Sequence, residues 1–184
     1  MKNVLLFSLV FITLISSSCS DEDSASFEKQ YIDLKAIIEK SIKSNEISNP
    51  TYAKEVWINE EHETITAQNL DWNKELEVFF LVDLNKRDFL SKYAKDSSSK
   101  QLTYSLLPEY EAPVKKLRVT FDSTLNVSEV KAFLSSDNFL YQSQRKLYLR
   151  FANNQLTEYK AEGWQELFIG SKKTYRISAT KKEG

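Results

Sequence analysis

From Gln101 onward the chain keeps a period of two. Leu117, Val119 and Phe121 alternate with Lys116, Arg118 and Thr120; Val130, Ala132 and Leu134 with Glu129 and Lys131; Leu147, Leu149 and Phe151 with Lys146, Tyr148 and Arg150. The same scheme returns at Tyr159, Ala161 and Gly163 and again at Tyr175, Ile177 and Ala179. Successive side chains of a strand point to opposite faces, so this pattern predicts five half-buried strands. The links Asp122–Asn126, Ser135–Asn138 and Asn153-Asn154 are turn-prone, which predicts a sequential antiparallel meander with one dry face.

Upstream the period changes. Phe27, Tyr31, Leu34, Ile38 and Ile42 fall at helical steps, predicting an amphipathic helix of some twenty residues that starts near Ser24–Ser26 and stops at Asn49-Pro50. Residues 52–58 and 63–68 alternate around Asn59-Glu60-Glu61, a small hairpin with Val56, Ile58, Ile65 and Ala67 facing inward. Asp71 can cap a short helix through Glu75, Leu76, Phe79 and Phe80, although the run Val78–Val82 also suits a buried strand. Asp96-Ser97-Ser98-Ser99 reads as a loop. The expected fold is therefore α+β: an N-terminal amphipathic helix packed on a C-terminal antiparallel meander, with a small hairpin and short helix between.

The first residues carry an address. Met1-Lys2-Asn3 precedes an apolar run from Val4 to Ile15, too short to span a bilayer, then Ser16-Ser17-Ser18-Cys19. Cys19 is the only cysteine, so no intrachain disulfide is available to explain it. The segment resembles a bacterial lipobox, which implies cleavage before Cys19 and acylation there with chains such as palmitate; Ser16 departs from the leucine usual at that place. Ser20-Asp21-Glu22-Asp23 resembles the surface-export signal of Bacteroidota-type lipoproteins, which implies display on the outer membrane, with periplasm-facing anchoring as the alternative. Asp71-Trp72, Asp83–Lys86, Tyr141–Ser143 and Gly163-Trp164-Gln165 are also similar to a group of uncharacterised lipoproteins of that kind, a resemblance that implies location and shared fold and no activity. The expected division is a signal peptide at 1–18, a lipidated acidic tether at 19–25 and one globular domain at 26–184.

Composition narrows the function classes. The 184 residues carry a net charge of −1, and loss of Lys2 with the leader moves it to about −2, which gives no case for nucleic acid. His62, the only histidine, lies among Glu60, Glu61 and Glu63 without the spacing of a zinc site, and with no second imidazole or cysteine nearby it reads as a solvated turn. No glycine-rich phosphate loop or nucleophile elbow occurs among 3 glycines. Asp71, Glu75 and Asp83 are the remaining carboxylates that a hydrolase could use, more simply read as a helix cap and its neighbours. No catalytic residue, metal or cofactor is assigned, and the reading leans away from an enzyme.

A binding role is easier to motivate. The wet face of the meander should present Tyr148, Phe133 and Trp164 beside Arg150 and Lys160, among Lys116, Arg118, Lys131, Lys146 and Arg176 with Glu129, Glu158 and Glu162 between them. Aromatics among polar groups suit a glycan, a peptide or an envelope protein, while cross-strand pairing alone also produces such a face. The chain is thus expected to be a lipid-anchored envelope protein that binds a partner; the alternative is a carrier holding an apolar ligand between helix and sheet.

Overall fold

The computed structural model describes residues 28–182. The predicted leader, Cys19 and the residues Ser20 to Asp23 lie outside that range. Nine strands form a single antiparallel sheet: β1 (Tyr52–Ile58), β2 (Glu61–Ala67), β3 (Tyr93–Ser98), β4 (Gln101–Leu106), β5 (Val114–Phe121), β6 (Val127–Asn138), β7 (Tyr141–Ala152), β8 (Gln155–Leu167) and β9 (Lys173–Lys181). Their order is β2-β1-β9-β8-β7-β6-β5-β4-β3, so β2 and β3 are the edges and the sheet is open.

This corrects the α+β expectation. Strand makes up 52% of the described residues and helix 19%, and the two α-helices, α1 (Leu34–Ser48) and α2 (Trp72–Leu76), form no layer of their own. Two features hid the larger sheet. The predicted hairpin joins it, because β1 pairs along its whole length with β9 as well as with β2. The serine-rich stretch read as a loop is strand: β3 and β4 pair from Tyr93–Leu106 to Ser98–Gln101 and extend the sheet beyond β5.

The period-two segments lie where alternation places them. Leu117, Val119, Val130, Ala132, Leu147, Leu149, Tyr159 and Ala161 are buried on one face. The strands run further than the pattern, however. Residues 135–138 continue β6, and the turn comes at Phe139-Leu140. At Asn153-Asn154 both residues have positive φ, 50° and 60°, which asparagine tolerates and a two-residue hairpin turn requires. Gly163 is a close-approach glycine, since a Cβ there would stand 2.2 Å from the Gln144 carbonyl oxygen on β7.

The helix is shorter than its apolar spacing. It begins at Leu34, capped by Asp33, whose side chain accepts from the Ala36 N–H. Burial works against the Asp33 carboxylate, but Lys29 and that N–H hold it below the usual carboxylate range. Residues 31 and 32 stay outside the helix because their backbone is already claimed: Tyr31 N–H donates to Asn85, Asn85 Nδ2 donates to the carbonyls of Tyr31 and Ile32, and Ile32 N–H donates to the Tyr104 hydroxyl. Asn49, left-handed at φ 40°, returns its N–H to Asn45 and ends α1. Leu34, Ile38 and Ile42 point into the core with Trp72 and Leu76 of α2 and Phe79 and Val82 of the following 3-10 turn, Glu77–Val82. Residues 77–82 are therefore helical, not strand.

The expected inner face of the first hairpin is also corrected. Tyr52 is its fully buried side chain, Val56 is half-buried, and Ile58 and Ile65 are exposed, because the hairpin extends past the elements that cover the sheet. Ala67 is half-buried.

Two buried phenols make the fold sensitive to alkali. Burial pushes Tyr52 and Tyr93 up to about 12. In the unfolded chain both lose their protons near pH 10, so from about pH 10 to 12 the native state holds more protons than the unfolded state, and stability falls as pH rises. Each tyrosine should contribute a loss of about 2 kcal/mol over that window. Denaturation midpoints followed from pH 8 to 12 should drop there, with a shallower drop in Tyr52→Phe and Tyr93→Phe; a wild-type profile flat to pH 12 would remove the argument.

Candidate ligand-binding face

The second face of the sheet is left uncovered, and pairing lines its side chains into rows. One row crosses β5 to β9 as Lys116, Phe133, Lys146, Glu162 and Arg176 and reaches Trp57 on β1. The next runs Arg118, Lys131, Tyr148 and Lys160, and a third carries Glu129, Arg150 and Glu158. Between them lies a hollow of about 600 Å³, within the range of ligand sites. A smaller hollow of about 340 Å³ adjoins it and shares Lys146 and Glu162.

The candidate residues divide between the two. Phe133, Tyr148, Arg150 and Lys160 line the larger hollow, while Trp164 lines the smaller one with Trp57 and Tyr175. Tyr148 is not an open stacking platform. Lys131 and Arg150 lie 5.4 and 5.5 Å from its ring centroid, and Arg150 Nε donates to its hydroxyl at 2.6 Å. Burial raises the Tyr148 phenol although that hydrogen bond pulls the other way. Trp164 likewise carries Lys172, 4.0 Å from its ring centroid. Phe133 alone of the three has no ring or cation contact among the described residues.

Charge is unevenly satisfied on this face. Glu129 pairs with Lys131 at 2.7 Å, Glu158 with Arg150 at 3.4 Å, and Glu162 with both Lys160 and Arg176 at 3.4 Å. Three carboxylates thereby occupy four cations. Lys116, Arg118 and Lys146 have no ion pair among the described residues, and the buried Nε of Arg118 has no hydrogen-bond partner. Sequence alone placed these residues on the wet face. It could not tell which cations the glutamates neutralise, because that depends on cross-strand register.

The other candidates are engaged elsewhere. His62 stacks on Trp57 with centroids 3.8 Å apart on the edge hairpin. Among the described residues no three His, Cys, Asp or Glu side chains are grouped to hold a metal ion. Asp71 caps α2 by accepting from the Lys74 N–H, and its bonds to Lys74 hold it below the usual carboxylate range. Asp83 accepts from the Asn85 N–H at 3.0 Å. Glu75 lies on the covered side, where both its oxygens bind Lys54 Nζ, at 2.6 and 2.8 Å, and one accepts from the Tyr159 hydroxyl. Burial, then Glu75, drives the Tyr159 phenol upward. Comparison with protein-family models, curated proteins and solved structures finds no match to this chain.

The Glu75 cluster has the geometry of a structural clamp joining α2 to β1 and β8. Lys54 and Glu75 side chains are each 16% exposed, so removing one strands the other's charge. Glu75→Ala should cost about 3 kcal/mol and lower Tm by roughly 6–12 °C. The double change Lys54→Met with Glu75→Leu should recover most of that loss, and calorimetry on the three proteins checks it. A single variant that melts with the wild type would refute the clamp.

Proposed function

We propose that the protein is a lipid-anchored, non-enzymatic component of a bacterial cell envelope that binds an acidic glycan on its uncovered sheet face. The observation that carries this reading is the set of unpaired cations, Lys116, Arg118 and Lys146, gathered around the free ring of Phe133 in the larger hollow. Unpaired cations favour an anionic ligand, and the apolar ring with the lysine stems favours one that also has a carbon face, such as a uronic acid. A sugar chain suits the face better than a peptide. Every strand from β1 to β4 along the sheet order has neighbours on both sides, so its backbone groups are committed and the face offers side chains only. A peptide lying across those strands would leave its own amides to water, whereas sugar hydroxyls can use Glu129, Glu158, Glu162 and the Arg and Lys donors. The two hollows continue one another from β5 to β1, which suits a linear chain.

Anchoring is supported by the apolar run ending at Cys19 and the acidic residues behind it. The same residues support a location at the outer membrane, facing the cell exterior. The apolar-carrier alternative is less well supported, because Leu34, Ile38, Leu76, Phe79 and Val82 fill the space over the sheet at 0–1% exposure.

Two measurements test the reading. Wild type should fractionate with membranes and be cleaved by protease on intact cells; Cys19→Ala should be released, and alanines at Asp21, Glu22 and Asp23 should abolish protease access. Release of wild type and Cys19→Ala alike would sink the anchor. In calorimetric titrations with polygalacturonate, neutral polysaccharide and polyglutamate, the first should bind, more weakly as salt rises. Lys116→Ala with Lys146→Ala should weaken it by about tenfold or more, from two lost charge contacts. Preference for polyglutamate would replace the glycan with an acidic peptide, and no binding to any of the three would remove the acidic-ligand reading.

A further inference from the structure

The β6–β7 turn and the β8–β9 loop end side by side, and both are apolar at the tip. Phe139 is 78% exposed, Phe168 66% and Ile169 85%, with Leu140 and Leu167 also exposed. The rings of Phe139 and Phe168 stack at 5.0 Å, and the Phe168 N–H donates to the Leu140 carbonyl at 3.0 Å, so the two tips are tied into one projecting patch. Five large apolar side chains exposed together are more than a scattered surface residue explains. We propose that these tips insert into the headgroup region of the lipid bilayer that carries the anchor.

Three observations select a bilayer over a protein partner. The patch is formed by a hairpin turn and a loop at one end of the sheet, exposed at their tips, and a bilayer accepts such tips without a complementary pocket. Leu167-Phe168-Ile169 is followed after two residues by Lys172 and Lys173; Lys172 is held over the Trp164 ring, while the long stem of Lys173 can lie beside the apolar group and its ammonium group reach a phosphate. Asp137 and Glu166 are close in sequence and balance those charges, so apolar insertion and not charge attraction supplies the affinity, and zwitterionic lipid should suffice. Finally, eight residues lie between Cys19 and Glu28, the first described residue, a span of nine Cα steps that reaches at most about 30 Å. A folded body on so short a tether always has some surface near the bilayer, and this patch gathers five of the twelve large apolar side chains exposed among the described residues. That last step rests on the anchoring proposed above; the first two do not.

The test separates the two. The Cys19→Ala chain, free of any acyl group, is floated with zwitterionic phosphatidylethanolamine–phosphatidylcholine vesicles, alone and with Phe139→Ser, Phe168→Ser and Ile169→Ser, and with Lys116→Ala and Lys146→Ala as a control for the sugar face. The expected result is measurable co-flotation of Cys19→Ala, lost by about tenfold or more in the tip variant and kept in the face variant. Ile169→Trp should shift its emission to the blue on adding vesicles. Emission that stays at its water value, or flotation indifferent to the tip changes, overturns the proposal. So does a concentration-dependent dimer in light scattering that the tip changes abolish, since the occupant would then be a second copy. Circular dichroism of the tip variant checks that it folds; if it does not, the Ile169→Trp emission decides alone. Failure of the anchor would show as unchanged fractionation in cells of a Cys19→Ala chain that also carries the three tip changes, while the vesicle result would stand.

Discussion

A nine-stranded sheet with one face out of water needs far more cover than a fifteen-residue helix can give. The chain solves this with long aromatic side chains that have polar ends. Tyr31, Tyr52, Tyr93, Tyr104 and Tyr159 are all buried, and each hydroxyl finds a partner. Tyr52 donates to the Leu156 carbonyl, Tyr93 to Val114, Tyr31 to Phe89 and Tyr159 to Glu75, while Tyr104 accepts from Ile32. A buried hydroxyl without such a bond is costly, so each ring can occupy its place only when the segment holding its partner is in register. Edge-to-face contacts gather these ties into two aromatic clusters, Tyr31 with Tyr93 and Tyr104, and Tyr52 and Tyr159 with Trp72. Covering the sheet and fixing its connections are therefore one event.

The two faces handle polarity in opposite ways. On the covered face every polar group named here has a defined partner, down to Glu75 held by Lys54 and Tyr159. On the open face the register sets three glutamates among seven cations, so some positive charge stays unsatisfied whichever way the side chains turn. Simple cross-strand stabilisation would favour equal numbers of opposite charges. The surplus, gathered near Phe133 and not spread over the sheet, is what distinguishes this face from an ordinary solvated one.

Alternation made the long central strands legible, because each has a buried and a wet side. The wet side read from Lys116 to Arg176 is the open face of the structure, and Asp71 is the cap its spacing suggested. Edge strands lack that contrast. In β2 the first six residues are exposed on both sides, and β3 is exposed after Tyr93, so Ser97 and Ser98 give no periodic signal and their pairing comes from β4. The start of α1 was misplaced for a different reason: Tyr31 has the right helical spacing, but Asn85, some fifty residues away, takes its backbone groups first. The apolar tips give no signal of their own in the sequence, because turn-prone residues before Phe139 point to an earlier turn and the strand continues through them.

The direction of the strands links the two ends of the proposal. β6 to β9 all run between the apolar tips and the opposite end of the sheet, so tips resting in headgroups stand those strands up from the bilayer. Lys146 lies six residues along β7 from Leu140, which at about 3.3 Å per residue puts the row of Lys116, Phe133 and Lys146 some 20 Å from the tips. The open face then looks sideways, clear of the headgroups. A chain lying across the strands would run parallel to the membrane, which is how a polymer spread along a cell surface would meet it; a protein tumbling freely on its tether would present that row in the useful direction only part of the time.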